Sequence, residues 1–153
     1  MKINSIHKIF AVVFLCLLTI ACESAKKTNQ NAKETVSKIT MEKTTLGNSS
    51  VVKIDKKEIS ASYKNRNGED TTGIKTTQAK QWNEINRLVG ELDLNEISNW
   101  EAPTQARFYD GAKATTITIE SGGQVYVSQS FDEGKPPAQL QKLYDYLESL
   151  VNQ

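Results

Sequence analysis

Beyond its first 22 residues this sequence has neither histidine nor cysteine: the one histidine is His7, and the two cysteines are Cys16 and Cys22. Without imidazole, the remainder of the chain cannot form a histidine triad, a proton shuttle or an imidazole metal site. Without a pair of thiols it forms no internal disulfide, and thiol, zinc and haem chemistry lose their usual ligands. A basic excess is also missing. From residue 45 onward, 12 Lys and Arg stand against 15 Asp and Glu. Nucleic-acid binding needs a concentrated basic face that displaces counterions, so no nucleic-acid partner is expected. No phosphate loop is visible, because Gly122-Gly123 joins two strand-like segments and opens no helix.

What is present begins with an apolar run, Ile9 to Ile20, preceded by Lys2, His7 and Lys8 and followed by the small residue Ala21. A membrane-spanning helix needs about 20 apolar residues, and this run ends sooner, in Ala-Cys-Glu and a string of lysines. Residues 1–21 therefore read as an export signal. Removing Lys2 and Lys8 from the 19 basic residues leaves 17 against 18 acids, a mature net charge of −1.

Leu18-Thr19-Ile20-Ala21-Cys22 resembles the lipobox of bacterial lipoproteins, in which a signal peptidase cuts before a cysteine carrying diacylglycerol. Thr19 stands where leucine is usual and Leu18 one place further back, a looseness seen in lipoproteins of the Bacteroidota. The resemblance implies lipidation at Cys22 and a cell-envelope location, on the inner or outer membrane. An ordinary signal cut at the same site is the alternative. Cys16 follows Leu15, which is too large for the cleavage position, so Cys22 is the thiol that survives processing. Two or more acyl chains, at about 0.8 kcal/mol per buried methylene, hold a protein to a membrane without a spanning helix.

Residues 22–44 have no aromatic side chain and few aliphatic ones, too little apolar surface to offset the entropy of ordering. They read as a tether with a reach of about 25 Å, the alternative being an added edge strand through Val36, Ile39 and Met41. Residues 45–153 read as a single domain. Val52 and Ile54, then Ile59, Ala61 and Tyr63, alternate as in half-buried strands, and Asn65-Arg66-Asn67-Gly68 suits a turn. A third short strand fits residues 71–77. Trp82, Ile85, Leu88, Val89 and Leu92 fall at helical spacing, with Thr76 or Thr77 as N-cap.

Thr115 to Glu120 and Gln124 to Phe131 predict a hairpin. A Ser121-Gly122-Gly123 loop places Ile119 opposite Val125 and Ile117 opposite Val127, keeping apolar residues on one face; a Gly-Gly loop sets Ile117 opposite Ser128. Pro136-Pro137 suits a helix start, and Leu140, Leu143, Tyr144, Leu147, Leu150 and Val151 form an apolar stripe. The expected class is α+β: an antiparallel sheet of about four or five strands with two helices packed on one face.

The chemistry left is that of carboxylates, lysine and tyrosine. Asp110 with Asp132 or Glu133 could supply the paired carboxylates of a glycosidase, but Tyr109-Asp110-Gly111 and Phe131-Asp132-Glu133-Gly134 read better as turns. No stretch has the oxygen-ligand spacing of a Ca²⁺ loop, and no metal or cofactor is expected. Trp82 shares a helical stripe and reads as core. Trp100, in a polar loop, is the better surface aromatic, followed by Tyr109 and Tyr126.

Residues 80–150, through Tyr109-Asp110-Gly111 and Phe131-Asp132-Glu133-Gly134-Lys135-Pro136-Pro137, are similar to small envelope lipoproteins, which implies no activity. The expected function is a non-catalytic binding module on an envelope membrane, with a surface of Trp100, Tyr109, Asp110, Asp132 and Glu133. Its partner would be an envelope protein or glycan. The alternatives are a carboxylate enzyme acting on cell-wall or surface glycans, and an envelope inhibitor or sensor accessory.

Overall fold

The computed structural model describes residues 35–109 and 111–151. The expected export signal, Cys22, the expected tether as far as residue 34, and Asp110 lie outside the described residues. The class is α+β, and the antiparallel sheet has seven strands among the described residues, more than the four or five expected. In chain order they are β1 (Val36–Thr45), β2 (Asn48–Asp55), β3 (Glu58–Lys64), β4 (Asp70–Thr76), β5 (Ala114–Ser121), β6 (Gln124–Val127) and β7 (Phe131–Asp132). The spatial order is β4-β3-β2-β1-β5-β6, with β7 also pairing β5. Helix α1 spans Ala79–Val89 and helix α2 spans Gln141–Val151, with 3₁₀ turns at Leu94–Asn99, Ala106–Phe108 and Ala138–Leu140.

The largest correction concerns the segment expected to be tether. Val36–Thr45 is an interior strand, bonded to β2 on one side and β5 on the other. Its alternation is hidden in the sequence because the register shifts between Val36 and Lys38, a bulge that puts Val36, Ile39 and Met41 at uneven spacing. Ile39 lies between Ile54 and Ile119, and Met41 between Val52 and Ile117, all buried. Lys43 follows on that same face and is neutralised by Glu148 of α2 at 2.6 Å and Glu133 at 3.0 Å. A lysine can thus continue a core-facing row.

Helix α1 buries Trp82, Ile85, Leu88 and Val89. Its N-cap is Gln78, not Thr76 or Thr77: the Gln78 N–H donates to Gln81 Oε1 at 2.9 Å, and Thr77 is buried. Helix α2 buries Leu143, Tyr144, Leu147 and Leu150. The two prolines precede a 3₁₀ turn rather than opening the α-helix. Both helices join the sheet residues in one apolar cluster, which Phe131 enters edge-on to Tyr144 with ring centres 5.6 Å apart. Lys75 Nζ donates to the Leu150 carbonyl, satisfying an acceptor in the last turn of α2.

The hairpin closes through two residues, Gly122 and Gly123, at φ of +59° and +78°, with Ser121 opposite Gln124. Two successive positive φ angles suit a primed turn that glycine enters without strain. Ile117 consequently stands opposite Ser128, and Val125 and Val127 face outward, both exposed. The register expected from their apolar character is therefore wrong by one residue. Ser128 accepts the Ile117 N–H on its side-chain oxygen at 3.0 Å and donates its own N–H to the Ile117 carbonyl at 2.9 Å. A hydroxyl takes the place of a ladder carbonyl there.

Candidate functional site

Asp132, read from the sequence as a surface or catalytic carboxylate, is buried beneath the segment 104–107. Strand β7 fixes it by pairing it with Ala114. One carboxylate oxygen accepts the Thr104 hydroxyl at 2.6 Å and the Ala106 N–H at 2.7 Å. The other accepts the Arg107 N–H at 2.9 Å and the Arg107 guanidinium at 3.2 Å. Burial alone pushes the carboxyl upward, but the donors from Thr104, Arg107 and Ala106 outweigh it and hold the pKa well below the usual carboxylate range. Asp132 is thus an anion clamped to the loop, with both oxygens engaged by protein.

The clamp presents a pair of aromatic rings. Arg107, held by Asp132 and by the Thr104 carbonyl at 2.9 Å, sets its guanidinium carbon 4.3 Å from the Phe108 ring centre. Phe108 meets Tyr109 edge-on at 6.4 Å. The rings are nevertheless open to solvent, Phe108 at 65% and Tyr109 at 82%. Beside them, the Thr45 hydroxyl donates to the Gly111 carbonyl at 3.3 Å, bringing the β1–β2 turn to this loop. That turn carries Leu46, 90% exposed. Leu46, Phe108 and Tyr109 therefore share one end of the sheet. The chain enters β1 at Val36, the opposite end of a strand roughly 30 Å long.

The other expected site residues are more tightly tied to the fold. Trp100 is only partly exposed and packs against the core cluster, so it belongs to the fold more than to a free surface. Glu133 is half-buried and pairs with Lys43 at 3.0 Å and Lys113 at 3.3 Å. Burial raises its pKa, and the hydrogen bonds and charges of Lys43 and Lys113 more than reverse this, leaving it lowered. Lys43 shows the counterpart: burial pulls its ammonium down, while Glu148 and Glu133 outweigh that and leave it raised. Tyr126 is partly buried, its hydroxyl donating to Gln124 Oε1 at 3.0 Å.

Phe108 and Leu46 escaped the sequence reading. The run Arg107-Phe108-Tyr109 in a polar loop was the available signal for the first; the second, alone in the polar run Thr44-Thr45-Leu46-Gly47-Asn48 just past the expected tether, carried no periodic signal. A shallow groove lies elsewhere, between α1 and α2, lined by Gln81, Glu84, Arg87 and Tyr146 among others. Its Arg87 is occupied by Glu84 and Glu91. No protein-family model matches this chain, and comparison with curated proteins finds no match.

Proposed function

We propose that this chain is a lipid-anchored cell-envelope protein whose domain is a non-catalytic binding module, and that its contact surface is the sheet end bearing Leu46, Phe108 and Tyr109. Acyl chains on Cys22 attach it to the inner or outer membrane, with the domain in the periplasm or at the cell surface. The observation that carries the reading is the exposure of two aromatic rings on a loop that a buried ionised carboxylate holds in place. Solvent-facing aromatics on a fixed loop are the favoured anchors of interfaces, because little entropy is lost when they are covered. Their position at the end of β1 away from Val36 suits a module attached through its N-terminal side and directed outward. The partner is an envelope protein or a glycan, since both present apolar faces that stack on aromatic rings.

The test is retention from detergent-solubilised envelopes, and separately on purified cell-wall glycan, by the full chain and by a Phe108→Ser/Tyr109→Ser variant. A partner retained by the parent and lost by the variant supports the reading. Equal retention by both removes the aromatic loop from it.

A further inference from the structure

We propose that β4 is a docking edge for a second copy of this chain, the two β4 strands pairing antiparallel about a twofold axis at Gly73 to join two sheets into one. The direction of the free backbone groups follows from the ladder beside it. The Thr77 N–H donates to the Lys57 carbonyl at 3.0 Å, and the Asn65 N–H to the Glu69 carbonyl at 3.1 Å. Hydrogen-bonded pairs alternate along an antiparallel ladder. Thr71, Gly73 and Lys75 therefore turn their N–H and C=O toward β3. Asp70, Thr72, Ile74 and Thr76 turn theirs outward, where no strand lies among the described residues.

An edge of this kind is a template for another strand unless something blunts it. Strand β4 contains no proline, pairs with β3 through seven residues without a register shift, and exposes Ile74 at 66%. Its one lysine, Lys75, is drawn to the helix-covered face by the Leu150 carbonyl. The opposite edge is different. Strand β6 has four residues and lies against the 3₁₀ turn Leu94–Asn99, to which Gln129 Nε2 is bonded through the Ser98 carbonyl at 2.9 Å.

The sequence of β4 fits itself about Gly73. Pairing it antiparallel with its twofold copy sets Asp70 opposite Thr76 and Thr72 opposite Ile74, so that every outward N–H and C=O meets a partner. Lys75 falls opposite Thr71, and Asp70 lies between its own neighbour Lys64 and Thr76 of the other copy. No like charges oppose each other. The two Ile74 side chains become diagonal neighbours on one face, within reach of mutual contact. At the axis, Gly73 faces Gly73 as a non-hydrogen-bonded pair, the closer kind, and the space about it is open. A C2 interface must be complementary to itself; this edge meets that condition, which a foreign strand would not require.

Residue-resolved amide exchange of the full chain in detergent, across a dilution series, tests the pairing. The amides of Asp70, Thr72, Ile74 and Thr76 should slow by about tenfold or more at the concentrated end. Those of Thr71, Gly73 and Lys75 should not change. Thr72→Pro removes an outward N–H while sparing the β3 ladder, and Ile74→Lys replaces the apolar contact with facing charges. Each should abolish the concentration dependence and sediment as a monomer. If the four outward amides exchange at one rate throughout the series and the parent sediments as a monomer, the proposal fails: a fast rate means an open edge, a slow one a cover other than a second copy. Persistence of the dependence in both variants also overturns it.

Discussion

One carboxylate oxygen of Asp132 accepts both the main-chain N–H of Arg107, at 2.9 Å, and the guanidinium of the same arginine, at 3.2 Å. A single side chain thereby fixes where the loop turns and where its charged group rests, and the aromatic pair follows from that. The Asp132 pKa is lower in the folded chain than in the unfolded one, where a carboxyl titrates at about 3.9. Its contribution to stability is therefore complete above that unfolded value and is lost as pH falls toward the folded one. The melting temperature should drop between about pH 5 and pH 2, and drop less steeply in Asp132→Asn. That variant should also melt lower at neutral pH, since it replaces the anion facing Arg107. Parallel pH profiles for parent and variant would assign the acid lability to other carboxylates.

Gly123→Ala tests the two-residue turn. Its φ of +78° strains an L side chain even though the surroundings are open, so the cost should be about 1 to 2 kcal/mol in denaturant unfolding. Gly73→Ala, in open space on an extended strand, should be neutral or slightly stabilising, because alanine restricts the unfolded chain. Equal effects at the two positions would contradict the turn.

Leu147 is fully buried on α2. Leu147→Ala should cost about 2 to 5 kcal/mol, the range of a core truncation, measured from denaturant midpoints at unchanged slope.

Phe108→Ser/Tyr109→Ser removes exposed rings, so its unfolding free energy should stay within about 0.5 kcal/mol of the parent. Trp100→Ala should destabilise by more, because Trp100 packs on the core. Calorimetry of both variants checks the contrast. A large loss in the double variant would make the rings part of the fold.

These contrasts show which features can be read from residue order alone. The stripes Trp82, Ile85, Leu88, Val89 and Leu143, Tyr144, Leu147, Leu150 are visible as helices because each buries one face of a continuous period. Strand β1 is not, since a bulge breaks its alternation and Lys43 finds its counter-charges on residues far along the chain. The hairpin register misleads because Val125 and Val127 are apolar yet exposed, whereas the polar Ser128 is inside. At the site, Tyr109 is legible as an exposed aromatic. The role of Asp132 is not, because its donors lie more than 20 residues away.

Whether the domain is anchored at all is decided by the intact mass of the processed chain, recovered from fractionated cells. The polypeptide should begin at Cys22 and be heavier than its sequence by a diacylglyceryl group, with or without a third acyl chain. A chain with no acyl increment, or one recovered free of membrane after fractionation, would contradict the anchor.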